Sequence, residues 1–166
     1  MPKEGEWPFG ESTLEELKII QTEVPSVRAE DSCLDALHVL YTKNVHALAI
    51  TKPLPDGASG VSIYSNLTKK LLGSISMSDI KEILSTRQGW RRIFDQSFQF
   101  FQFLRSEQGI RRGQDAVPSF TVSPETTLIS VIKKLAAVRA HQIWVVNAQH
   151  ELLGVVSVSD IIPLLV

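Results

Sequence analysis

One stretch of this chain occurs twice, and a duplication of this kind limits the fold more than any local pattern. Leu71-Leu72-Gly73-Ser74-Ile75-Ser76-Met77-Ser78-Asp79-Ile80 returns as Leu152-Leu153-Gly154-Val155-Val156-Ser157-Val158-Ser159-Asp160-Ile161, with glycine, serine and aspartate at the same places. Upstream, Val24-Pro25-Ser26-Val27 matches Val117-Pro118-Ser119-Phe120, and Leu37, Leu40 and His46 match Ile132, Leu135 and His141. Anchors recurring in one order indicate two similar structural units that share a core. On this matching the second copy is two residues longer ahead of its helix, and the first carries fourteen extra residues around Lys52 to Asn66.

Each copy reads strand, helix, strand, strand, helix. In the first, 24–27 is extended and Ser32 caps a helix whose apolar residues Cys33, Ala36, Leu37 and Leu40 follow helical spacing. Leu128, Val131, Ile132 and Leu135 repeat that stripe. Strands follow at 47–51 and 71–76, then at 142–147 and 152–158, the second pair joined by a hairpin-length turn. Pro163 predicts a short or distorted last helix, and the sequence stops inside it at Val166, as a fragment would.

The predicted organisation has three parts. Residues 12–84 form repeat 1, including an N-terminal helix with Leu14, Leu17 and Ile20 on one face and a mobile inserted loop at 52–66. Residues 85–116 form an aromatic-rich helical linker, and 117–166 form repeat 2. In the linker, Trp90, Phe94, Phe98 and Phe101 share a predicted face that docks on the repeats, while Phe100 and Phe103 point away toward a partner or a second covering surface.

Composition narrows the function. With 43% hydrophobic and 21% charged residues and a net charge of -1, the chain lacks the basic excess that binding to a phosphate backbone requires. Nucleic acid is therefore not an expected partner. The one cysteine, Cys33, rules out an internal disulfide and suits a reducing compartment, with the thiol acting as a small buried hydrophobe. The N-terminus has no signal-like pattern, and no run approaches the ~20 apolar residues that span a bilayer. A cytoplasmic or nuclear protein without membrane association is expected. No nucleophile elbow, phosphate loop or zinc motif is present, so neither catalytic nor metal residues are assigned and the chain is not expected to be an enzyme.

The pairs Ser76/Asp79 and Ser157/Asp160 carry the chemistry. A helix start has unpaired N–H groups and partial positive charge that suit an anion, an aspartate can accept both hydroxyls of a ribose, and a serine can donate to phosphate. The same spacing is also that of a capping box, which would begin a helix with no ligand at all.

A duplicated unit ending in Gly-hydrophobic-hydrophobic-Ser-x-Ser-Asp-hydrophobic resembles the cystathionine-beta-synthase (CBS) domain pair, or Bateman module, over nearly the whole chain. The second half, from Ala140-His141-Gln142-Ile143-Trp144 through Ser157-Val158-Ser159-Asp160-Ile161, is similar to the last repeat of the gamma subunit of AMP-activated protein kinase. The resemblance implies an α+β tandem CBS-domain pair: two β-α-β-β-α repeats with small mixed sheets packed against helices, related by a pseudo-two-fold axis. It implies a non-catalytic sensor that binds an adenine nucleotide (AMP, ADP or ATP), with S-adenosylmethionine as the second choice, and that relays metabolite status to a partner such as a protein kinase subunit. The implied site comprises Ser76, Asp79, Ser157 and Asp160, then His141 and His46 toward phosphates, with Val117, Pro118 and Ser119 leading into the second repeat. In the gamma pattern an arginine follows the histidine, whereas Gln142 and Ala47 stand here, so that phosphate-holding group is missing. Arg91, Arg92, Arg111 and Arg112 are the substitutes available in the linker, the last two in a loop made adaptable by Gly109 and Gly113. Self-association as a homodimer, or with another CBS pair, is expected through the apolar helices carrying Ile80, Ile83, Leu84, Ile161, Ile162, Leu164 and Leu165. The alternative is a ligand-free scaffold that works through its phenylalanine-rich linker and apolar helix faces.

Overall fold

The computed structural model describes residues 9–53, 69–84, 89–112 and 120–165. Most of the inserted loop, as well as Val117, Pro118 and Ser119, lies outside the described residues. In chain order the elements are α1 (Leu14–Leu17), β1 (Ser26–Arg28), α2 (Cys33–Lys43), β2 (Ala47–Pro53), β3 (Lys69–Ser76), α3 (Met77–Leu84), a 3-10 helix (Gly89–Phe94) and α4 (Ser97–Arg112). Then follow β4 (Thr121–Val122), α5 (Leu128–Val138), β5 (Gln142–Val146), β6 (Leu152–Ser157), α6 (Val158–Ile161) and a second 3-10 helix (Ile162–Leu164). Each repeat has the expected strand-helix-strand-strand-helix order, so the fold is α+β with two small mixed sheets.

The sheets are built alike. In each three-stranded sheet the first pair is parallel and the second antiparallel, ordered β1-β2-β3 and β4-β5-β6. A register shift follows Ile50 in one and Val145 in the other, beside the paired Gly73 and Gly154. The pairing also corrects the matching of the repeats. Val27 lies opposite Ile50 and Val122 opposite Val145, so Val27 corresponds to Val122 and not to Phe120. The two-residue insertion disappears with this correction, and Val117-Pro118-Ser119 is no longer the counterpart of Val24-Pro25-Ser26.

The chain divides into two compact units, Val24–Ser119 and Met1–Glu23 with Phe120–Val166. The N-terminal helix was expected to join the first repeat, but it packs with the second. Leu14 N–H donates to Thr126 O (3.1 Å), Glu15 N–H to Pro124 O (3.1 Å) and Leu128 N–H to Ser12 O (2.9 Å). The first repeat receives the start of α4 through the same bonds: Ser97 N–H to Asp31 O (2.7 Å), Phe98 N–H to Ala29 O (3.2 Å) and Cys33 N–H to Asp95 O (2.9 Å). The segment preceding each repeat therefore completes the other one. Helix α1 is a single turn, closed by a Thr13/Glu16 capping box and ended by Lys18 in the left-handed region (φ 54°), which leaves Ile20 beyond it.

The aromatic segment is part of a core. Phe100, Phe101 and Leu104 are buried with Val27, Cys33, Ala36, Leu40, Leu48, Ile50, Ile75 and Ile80, and Phe98 and Phe103 pack against them. Trp90 and Phe94 are exposed on the 3-10 helix. The predicted docking face assumed one continuous helix, but the helical phase breaks at Asp95 and Gln96, and α4 begins anew at Ser97, whose buried hydroxyl bonds to Ser32 O. The second core gathers Leu14, Val122, Leu128, Val131, Leu135, Ile143, Val145, Val156 and Ile161. Ile80 and Ile161 thus face inward and are not available for self-association, while Ile162 and Leu165 are exposed.

Both motif glycines make room for the exchanged segments. A Cβ on Gly73 would sit 2.7 Å from the Phe101 ring, and one on Gly154 would sit 2.7 Å from the Gln21 carbonyl oxygen and also meet Ile20. Overpacking of this kind costs about 1–3 kcal/mol. Denaturant unfolding of Gly73→Ala and Gly154→Ala should show losses in this range. Adding Phe101→Leu should recover part of the first loss, which would then be non-additive; strict additivity would refute the contact.

Cys33 is fully buried, and desolvation, followed by the charge of Asp95, raises its thiol from the ordinary value of 9.0 to about 12. Between these values the unfolded chain gives up its thiol proton while the folded one keeps it, so stability falls as pH rises above 9. The slope from this group is at most about 1.4 kcal/mol per pH unit. Urea melts at pH 7.5 and 10 should show a smaller alkaline loss for Cys33→Ala than for the wild type.

Candidate functional site

Each repeat ends in a corner where strand passes straight into helix. At the first, Ser76 closes β3 and Met77 opens α3. Asp79 Oδ2 accepts from Ser76 N–H (2.8 Å) and from Ser76 Oγ (2.6 Å), while Asp79 N–H donates back to Ser76 Oγ (3.2 Å). The second corner repeats this, with Asp160 Oδ2 accepting from Ser157 N–H (2.7 Å) and Ser157 Oγ (2.6 Å). Both acids fold back on their own main chain, so the capping arrangement allowed by the spacing is formed at each site.

The histidines are drawn to the same corners by their main chain. Met77 N–H donates to His46 O (2.9 Å) and Val158 N–H to His141 O (2.9 Å), so each carbonyl takes the first orphan donor of the helix. Both histidines are exposed. Ala47 pairs with Ser76 and Gln142 with Ser157, which fixes histidine, serine and aspartate within one corner in each repeat.

The corners differ in setting. Asp79 is buried at the head of an eight-residue helix, whereas Asp160 is half-buried above a helix of four residues that passes into a 3-10 turn at Pro163. A longer helix aligns more peptide dipoles, so the first corner favours an anion more strongly. At the second, Gln21 Nε2 donates to Asp160 Oδ1. Gln21 also exchanges both main-chain bonds with Val155 (2.9 Å each), adding to the outer edge of β6.

Of the linker arginines, Arg91 and Arg92 make contacts of their own. Arg92 pairs with Asp95 (3.0 Å) and lies over the Phe103 ring (3.7 Å), and Arg91 lies over Trp90 (5.5 Å). Arg111 and Arg112 are carried on α4, which runs through Gly109 where an adaptable loop was expected. Trp144 is buried on β5, paired with Val155. Sequence reasoning missed Gln21, because it precedes both motif copies and only the exchanged topology brings it to the second corner; its one signal was a polar residue following the apolar pair Ile19-Ile20. Among the described residues, no group of three or more histidine, cysteine or acidic side chains could hold a metal ion, and no helix is long and apolar enough to cross a membrane.

Residues 115–166 match the family model of the CBS domain. Residues 115–166 therefore form a CBS domain. The solved structures it resembles show that the fold as a whole is that of a CBS-domain pair. The CBS domain pair of protein MJ0100, in complex with 5'-methylthioadenosine and S-adenosyl-L-methionine, is 17% identical with a TM-score of 0.59, over 93% of this chain and 95% of that one. The CBS domain protein PAE2072 from Pyrobaculum aerophilum, complexed with AMP, is 15% identical with a TM-score of 0.60, over 87% and 88% of the two chains. In sequence, the chain is 28% identical to Protein SDS23 of Candida albicans over 92% of its own length, and it spans only 22% of that relative.

Capping by the motif serines should be measurable without ligand. Ser76→Ala and Ser157→Ala are each expected to lose about 1 kcal/mol in equilibrium unfolding, with the larger loss at the more buried Asp79 corner. Unchanged stability in both variants would show that the serines are not kept for capping.

Proposed function

We propose that this chain is a non-catalytic regulatory module that binds an adenine nucleotide through its serine-aspartate corners and relays occupancy to a partner protein. The observation that carries this reading is the twofold construction of the same corner, with histidine, serine and aspartate fixed together at each site although the surrounding segments differ. A carboxylate has about four lone-pair sites, more than capping consumes, so a capping aspartate can also accept from a ribose. Adenine-based ligands in two CBS proteins of the same fold support this ligand class. AMP, ADP and ATP are the preferred ligands and S-adenosylmethionine the second. The absence of an arginine after His46 and His141 favours the nucleotide with the fewest phosphates.

The scaffold alternative loses its main surface, because most of the phenylalanine-rich segment is taken up by packing in the first core. Self-association falls to the exposed Met77, Val158, Ile162 and Leu165. The partner is a regulated protein, with a protein kinase subunit the class implied by the sequence resemblance. Coupling between ligand and partner is expected on the usual scale of allosteric effects, about 1–3 kcal/mol.

Thermal unfolding with added nucleotide tests this reading. At a hundred times Kd, AMP should add about 2.7 kcal/mol of stability, and Asp79→Ala combined with Asp160→Ala should abolish the gain. No gain with AMP, ADP, ATP or S-adenosylmethionine would overturn the proposal.

A further inference from the structure

We propose that Gln21 is an internal competitor at the second corner, its side-chain amide occupying the oxygen of Asp160 that a ligand's sugar hydroxyls would use. This inference rests on the nucleotide reading above. Asp160 Oδ2 is committed to Ser157, through N–H at 2.7 Å and Oγ at 2.6 Å. Its other oxygen, Oδ1, receives Gln21 Nε2. A ribose hydroxyl would offer Oδ1 the same thing, a neutral donor to an anionic acceptor, so glutamine and sugar compete for one position.

The placement of Gln21 is built into the fold. Its main chain is held to β6 by the reciprocal bonds with Val155 at 2.9 Å, so the Gln21 backbone stays in place beside the corner whichever rotamer the side chain adopts. Gly154 permits this approach, since a Cβ there would lie 2.7 Å from the Gln21 carbonyl oxygen. The side chain itself is exposed and can rotate into water without disturbing the bridge. Binding at this corner therefore requires the amide to leave, and the apparent affinity is reduced by the fraction of molecules in which it is seated. The chain segment that completes the repeat thereby also limits access to its site.

Isothermal titration calorimetry of AMP against the full chain and its Gln21→Ala variant tests the proposal. Alanine keeps the main-chain bridge and removes only the donor, so AMP should bind the second corner about tenfold more tightly, equivalent to about 1.4 kcal/mol. The gain should vanish when Asp160→Ala is also present. The Gln21 side-chain amide resonances of the wild type should shift during the same titration with the same Kd. Binding to Gln21→Ala but not to the wild type would be the extreme form of the expected result. Equal binding to both would overturn the competitor role and leave the nucleotide reading standing, and weaker binding to the variant would make Gln21 a ligand contact instead. If AMP binds neither protein, both proposals fall.

Discussion

The main-chain zipper between residues 95–98 and 29–33, repeated between 12–15 and 124–128, is the contact on which both halves of the molecule depend. Each repeat alone has a β-sheet with an open outer edge and a helix start whose N–H groups need acceptors. The exchanged segments supply the acceptors in both repeats, and in the second repeat Gln21 also pairs with the sheet edge at Val155. Asp95 O and Ser12 O accept from the first residues of α2 and α5, and the following residues run on to cover Gly73 or bridge to Val155 beside Gly154. Unpaired edges invite association with other chains, and buried helix ends without partners are costly, so neither repeat is complete without the segment it borrows.

This dependence explains which features were legible in the sequence. The stripes ending at Leu40 and Leu135 are local, 3.6-residue patterns, and the Gly-x-x-Ser corners follow directly on short strands, so both copies of the β-α-β-β-α order could be read without a structure. The exchange could not, because no local pattern records which distant carbonyl accepts from Cys33 or Leu128. The matching of Val24-Pro25-Ser26 with Val117-Pro118-Ser119 failed for a related reason: residue identity was used where strand pairing decides, and the pairing of Val27 and Val122 sets the register. The phenylalanines were misjudged because helical phase was carried across Asp95 and Gln96, where the helix does not continue.

The site shows the same division. Serine, aspartate and histidine were all visible as a recurring set, and the structure explains their recurrence partly without a ligand: the aspartate caps, and the histidine carbonyl accepts from the first helical N–H. That second role belongs to the main chain and any residue could fill it. Capping therefore accounts for serine and aspartate, but it does not require an imidazole at His46 and His141. The recurrence of two exposed histidines beside two capped acids is the part that helix initiation leaves unexplained, and it is what ligand binding would use.

The two corners have nonetheless diverged in their settings. The first sets a buried aspartate against two full turns of helix, so its carboxylate and the helix dipole act within one low-dielectric environment. The second sets a half-buried aspartate against a single turn cut short at Pro163, and an amide from the N-terminal segment already satisfies its outer oxygen. Duplication supplied identical chemistry, but the borrowed segments are not identical: α4 is a long helix that presents a phenyl ring, whereas α1 ends after one turn and continues as extended chain that presents Gln21. The difference between the corners thus originates outside the motif, in what the exchange brings to each.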